Sequence, residues 1–559
     1  MPDYRTGCLL LLCAACTHAQ PSITTAQYDN HRTGANLEEK ILTPRNVNEA
    51  QFGKLFMIPV DGDVYAQPLY IPKLEIPGKG VHDVVFAATE HDSVYAIDAA
   101  GTPTEPLWQV SFLNERTGVR PVASADVRCS FIAPEIGITP TPVIDAAART
   151  MYVLVRTSER SPDGEERYYQ RLHALDITTG AERPGSPVLI RASWVSSSFF
   201  GLMRSEVRFH AQLENPRAAL LLSKGTVYIA WGSSCDAGPY HGWVLAYDAR
   251  TLKQTGVFNT SPDSTESGIW QSDAGIAADD EGNVYAVTGN GKFDAASSGG
   301  RDYGDSVLKL GFQNGGLGVR DYFTPFNESR LNSRDEDLGS SGPVLLPDQP
   351  GSHPHVLVVA GKAGVIYVID RDRMGKFHAG SDSHAVQTLT GVGTSSFGAP
   401  AYWNGHLFYF GSNDVLKDFT VDHGQLAATP VHSGKWQFKD PGAIPVVSAN
   451  GNQDGIVWLV LTKGWRDRDT SAVLQAYDAA DVGHRLFVTG SDGPGYALRF
   501  TMPTVANGRV YIGARRALYA YGLTTPAKPR GGGRAGAAPH RSGALGRETR
   551  APQQPNRPR

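Results

Sequence analysis

The sequence predicts an all-β chain, an eight-bladed β-propeller of four-stranded antiparallel blades. A strand-pair signature recurs eight times, a short strand opened by proline precedes most of the copies, and 61 glycines and 36 prolines in 559 residues supply the turns. Charged residues make up only 19% of the chain and the hydrophobic share is 41%, which suits a large strand-built core and excludes a wholly disordered chain.

The signature is an apolar run with Tyr or Phe, a short turn, and an alternating run that often closes on Ala-x-Asp. The first runs begin at Val85, Met151, Val227, Val284, Val356, Leu407, Val457 and Val510. Their partners begin at Val94, Leu172, Val244, Val307, Ile366, Leu416, Leu474 and Leu518. Ahead of six copies stand Pro68, Pro142, Pro343, Pro400, Pro445 and Pro503. Proline suits the first residue of a strand, where no ladder donor is lost. A further strand, such as Pro106 to Val110, brings each unit to about four strands. A blade of this kind buries both faces only by stacking between neighbours, so the ring must close, and residues 54–60 are the spare strand that would join the last blade. Two stacked β-sandwiches would also give short strands and frequent turns, but not one signature repeated in order.

The ends differ from the body. Arg5, the apolar run from Cys8 to Ala15 and the small residues up to Ala19 have the order of a secretory signal, expected over residues 1–19. Cys16, after Cys13-Ala14-Ala15, offers lipidation as an alternative to cleavage after Ala19. No later run approaches the ~20 apolar residues of a membrane-spanning helix. The propeller is expected over 20–524 in an exported, periplasmic or secreted protein. Residues 525–559 hold eight Lys or Arg, one Glu and almost no large apolar side chain, the composition of a solvated basic tail. With a net charge of -4 the chain carries no basic excess to recruit nucleic acid. Cys129 and Cys235 are the two cysteines beyond the leader, and export would permit a bond between them.

In a blade, the start of the proline-led strand and the end of the next strand share one rim near the axis. In the third to fifth copies, those positions hold Asp236, Trp270, Asn290, Asp337 and Lys362, partners for a flat anionic ligand with a bound cation. His353 and His355 alternate on one strand without a third ligand and read as surface histidines. Gly304-Asp305-Ser306 lacks the strand-to-helix elbow of a hydrolase nucleophile.

Gly268-Ile269-Trp270, Thr288-Gly289-Asn290, Gly304-Asp305-Ser306, Asp335-Glu336-Asp337-Leu338 and the run from Gly361 to Arg371 resemble, in their shared order, the quinoprotein alcohol dehydrogenases and exported PQQ-repeat propellers. The resemblance covers residues 27–523. It implies pyrroloquinoline quinone (PQQ) and calcium as cofactors, with Trp270 beneath the quinone, Lys362 on its oxygens, Asn290 on calcium and Asp337 as catalytic base. The family's calcium-binding Glu falls on Ala237, leaving Asp236 beside it as the substitute, and its paired adjacent cysteines are replaced by Arg128-Cys129-Ser130. The implied activity is oxidation of a small alcohol or sugar, with electrons passed to a separate acceptor. The alternative is a non-catalytic propeller that binds protein partners or serves envelope assembly.

Overall fold

Eight blades, one for each copy of the signature and each built on four strands, form a closed β-propeller in the computed structural model, which describes residues 21–197, 204–463 and 470–524; four of the blade sheets are extended to five or six strands by further short strands. The leader, Cys16 and the basic tail lie outside the described residues. In the first blade the strands are Leu69–Ile76, Gly80–Ala88, Ser93–Asp98 and Trp108–Ser111, counted outward from the axis. Neighbouring strands within each blade run antiparallel.

The proline-led segments become the innermost strands. Val143–Asp145, Val344–Leu345, Ala401–Trp403, Val446–Asn450 and Thr504–Ala506 all begin one residue after their proline. The Ala-x-Asp endings have a local cause. The carboxylates of Asp98, Asp176, Asp370 and Asp478 accept from the backbone N–H two residues on, at 2.7–2.9 Å, and Asp248 accepts from that of Thr251, so each strand stops in an aspartate-capped turn.

Alternate residues of each central strand face opposite neighbours. In Thr226–Ser233 of the third blade, Val227, Ile229 and Trp231 pack with Tyr152, Leu154 and Leu172 of the second. Tyr228 and Ala230 pack with Val284 and Ala286 of the fourth. Both faces are therefore apolar, which is why these strands read as continuous hydrophobic runs. At about 1.5–3 kcal/mol for each fully buried Val, Leu or Ile, the interfaces between blades carry the fold.

The ring closes as the sequence expects. Phe52–Pro59 pairs antiparallel with Ala517–Leu523 as the outermost strand of the eighth blade, from Phe52 opposite Leu523 to Pro59 opposite Ala517.

A segment ahead of the first blade stands outside the repeat. Residues 23–36 form a strap across one end of the axial channel and hydrogen bond the innermost strand, or its first residues, in all eight blades. Ile23 bridges Tyr70, and Thr24 accepts from Ile144 N. Arg32 donates to Leu220 O and Asn30 to Leu222 O. The carbonyls of Asn30, His31, Thr33 and Gly34 accept from Ala278, Leu345, Tyr402 and Val447, and Asn36 donates to Val505 O. Arg32 is fully buried and also donates to Ile276 O, which pins the strap to the ring, and to Ala26 O and Thr25 Oγ1 within the strap itself. Burial lowers its guanidinium to about 10 against the pull of Asp29, so it stays charged near neutrality.

Candidate functional site

The innermost strands run toward the strap, so the loops that lead into them gather at the other end of the channel. There they enclose a cavity of about 380 Å³. Ile132 and Ile136 reach it from the lead-in to the second blade, Arg217 from the third, Trp270 and Ser272 from the fourth, and Asp335, Asp337 and Ser340 from the fifth. Phe397, Asp440, Arg499 and Phe500 come from the lead-ins to the sixth, seventh and eighth. Lys362 and the run from Ser233 to Asp236 enter from the far ends of the second strands. An apolar cluster of Ala26, Ala219, Ile444, Phe500 and Met502, with Phe397 against it, separates the cavity from the strap.

Four residues predicted from sequence, Asp236, Trp270, Asp337 and Lys362, line this cavity. The fifth, Asn290, stands behind Asp337: its backbone N–H donates to Asp337 Oδ1 at 2.7 Å and its Nδ2 to Asp335 Oδ1 at 2.8 Å. The Lys362 ammonium bridges the carboxylates, 2.7 Å from Asp335 Oδ1 and 2.5 Å from Asp337 Oδ2. Burial raises the Asp337 carboxyl above the ordinary range, with Lys362 and the Asn290 N–H pulling against it. Burial works against the charge on Lys362, yet Asp337 and Asp335 hold its ammonium above the usual lysine range. Asp236 is likewise raised, first by burial and then by the charge on Asp337, while the Tyr240 hydroxyl donates to it at 3.2 Å.

Glycines make room for these side chains. A Cβ on Gly232 would stand 3.0 Å from the Trp270 ring, and one on Gly289 would stand 2.2 Å from Asp337 Oδ1 and 2.9 Å from the indole. The Trp270 ring rests against this backbone and edge-on to Tyr240, at 5.7 Å between ring centres. Just beyond it Gln271, Ser272 and Asp273 all have positive φ, as do Cys235 and Asp236 across the cavity. Such conformations cost on the order of 1–3 kcal/mol each and collect where function constrains the backbone.

Cys129 and Cys235 form a disulfide in the cavity wall, joining the loop before the second blade to the loop that carries Asp236. His353 and His355 pair with Asp370 and Asp372 at 2.8 and 2.7 Å, as surface residues do. Asp305 is buried and accepts from Leu338 N at 2.9 Å, which fixes the loop carrying Asp337.

The sequence reading missed Asp335, Arg217, Arg499 and the aromatics. A signal existed for Phe397 and Phe500, which like Ser340 stand three residues before the strand-opening proline, but Asp335, Arg217 and Arg499 do not share that register.

An eight-bladed propeller with a blind axial cavity lined by charged and aromatic side chains is thus the class that fold and site define. No protein-family model and no curated protein matches the sequence. Among solved structures, the chain is similar to the quinohemoprotein alcohol dehydrogenase ADHIIG of Pseudomonas putida HK5, with TM-score 0.57 and 15% identity over 91% of this chain and 81% of that one. It is similar to a europium-containing methanol dehydrogenase at TM-score 0.56 and 14% identity, over 90% of this chain and 98% of the other. BamB of Moraxella catarrhalis matches at 0.47 and 15%, over 84% and 99%. The chain shares the eight-bladed propeller fold of the quinoprotein dehydrogenases.

The residues present fit a planar polyanion such as PQQ, since an indole on a glycine cradle lines the same cavity as Lys362, Arg217 and Arg499. For calcium the available donors are hard oxygens. Asn290 Oδ1 is buried without a hydrogen-bond partner, and Lys362 answers only part of the charge of Asp236, Asp335 and Asp337. No three His, Cys, Asp or Glu side chains among the described residues form a ready metal centre, so a cation here would take part of its shell from the ligand.

Proposed function

We propose that this protein is an exported quinoprotein-type dehydrogenase that holds PQQ in the axial cavity, oxidises a small alcohol or sugar and passes the electrons to a separate acceptor. One observation supports it above the rest: Trp270, Asp337, Lys362 and Asp236, drawn from three successive blades, line the same cavity. When bound, PQQ supplies an electrophilic carbonyl that accepts hydride. The protein's part is binding and proton handling. Trp270 offers a stacking face, Lys362 a cation for the ring oxygens, and Asp236 with Asn290 the oxygens for calcium. Asp337, buried and raised, accepts the substrate hydroxyl proton on its carboxylate, while the Asn290 N–H and Lys362 fix its orientation. Export agrees with the Cys129–Cys235 bond, which persists in oxidising compartments. No helix among the described residues is long and apolar enough to cross a membrane.

Equilibrium dialysis of the purified chain with PQQ, with and without calcium, tests the reading, followed by dye reduction with a panel of alcohols and sugars. Retained quinone and calcium with substrate-dependent dye reduction are expected. If neither quinone nor calcium is retained, the dehydrogenase reading is abandoned for a non-catalytic propeller that binds protein partners.

A further inference from the structure

Arg217 and Arg499 approach the cavity from the third and eighth blades, yet both guanidiniums lie over one ring, Phe500, at 4.9 and 4.5 Å from its centre. Loops from blades that far apart meet only at the axis. Phe131 and Phe397 stand at 5.1 and 5.2 Å from Arg499, so that guanidinium is lodged among three aromatic rings. Phe500 also belongs to the apolar cluster with Ala26 of the strap, which puts the pair at the blind end of the cavity.

Arg217 is 7% exposed, and its Nε lies 3.1 Å from Asp273 Oδ1. Its Nη2 is buried without a hydrogen-bond partner. Lying over a ring, the Arg217 guanidinium presents Nη2 in its own plane while its Nε side faces Asp273, and a guanidinium edge of this kind is what grips a carboxylate. A buried donor without an acceptor is costly, and an anion entering the cavity removes that cost.

We infer that Arg217 and Arg499 form a carboxylate subsite at the blind end, so that the ligand of this cavity is a planar carboxylate held by its acid group there. The polar cluster of Lys362 and Asp337 is left to meet the ligand's other oxygens. This deepens the reading above, because PQQ is itself a tricarboxylate, and it rests on that reading only for the identity of the ring.

Calorimetry on the full chain tests it with two matched pairs, PQQ with its trimethyl ester and isophthalate with the neutral isophthalamide. Each acid should bind about 10- to 100-fold more tightly than its neutral counterpart, the range for charged hydrogen bonds. Arg217→Gln and Arg499→Gln should erase that preference while leaving the affinity for the neutral compounds unchanged. If Arg217→Gln does not fold, the acid-to-neutral ratio of the wild type and of Arg217→Lys decides. Isophthalate binding that needs both arginines, without PQQ binding, keeps the subsite and removes the quinone. PQQ binding indifferent to esterification and to both substitutions keeps the quinone and overturns the subsite. Failure of both acids to bind overturns it too.

Discussion

Asp337 is held by Lys362 on one oxygen and by the Asn290 N–H on the other, so Asp337→Asn changes the proton acceptor with little change in shape. Turnover should fall by roughly 10²–10⁴ while PQQ affinity stays within a few-fold, as steady-state kinetics beside dialysis would register. Equal losses of turnover and binding would make Asp337 a binding residue instead. A second residue reports on stability. Glu90 is buried and raised to about 8, chiefly by burial, although Gly137 N and the Thr139 hydroxyl donate to it. The native state therefore keeps a proton that the unfolded chain has lost between about pH 4.5 and 8, and its stability falls as pH rises, by up to about 1.4 kcal/mol per unit. Asp92 and Glu214 shift in the same direction. Glu90→Gln should shrink the loss of Tm between pH 5 and pH 8.5; an unchanged slope would show that Glu90 is ionised in the native protein. Asp236, Trp270, Asp337 and Lys362 were legible because the repeat fixes their register. Arg217 and Arg499 were not, because an arginine in a polar loop reads as solvated until loops from distant blades bury it.

The strands were legible as elements for a related reason: a sheet buried on both faces writes the same apolar run into every copy. Even the closing strand at Phe52–Pro59 could be found, as a strand left without a blade. The strap could not. It has no period of its own and takes its hydrogen bonds from partners up to 477 residues away. Arg32 is its anchor, with donors to the ring carbonyls of Ile276 and Leu220 and, within the strap, to Ala26 O and Thr25 Oγ1. Arg32→Met should leave those acceptors buried and unpaired, costing about 3 kcal/mol or more. Chemical denaturation should register this as a lower midpoint at an unchanged m-value, since the ring still buries the same surface. A loss under about 1 kcal/mol would mean that the strap is held by its backbone contacts alone.

Repeat arrays ordinarily unfold piece by piece, because each repeat touches only its neighbours. Two features oppose that here. The strand Phe52–Pro59 ties the start of the chain to the eighth blade, and the strap bonds every blade to one short segment. An opening of any single blade must break its bond to the strap and loosen the others. The amides of Ile144, Ala278, Leu345, Tyr402 and Val447 report this directly, since they belong to five different blades and all donate to strap carbonyls, at 2.7–2.9 Å. In native-state hydrogen exchange these five should share one opening free energy equal to that of global unfolding. In Arg32→Met they should lose protection together, while amides in the central strands, such as Tyr228 and Val358, fall only by the global loss. Protection that differed from blade to blade in the wild type would mean that the ring opens one blade at a time and that the strap rides on it without coupling it.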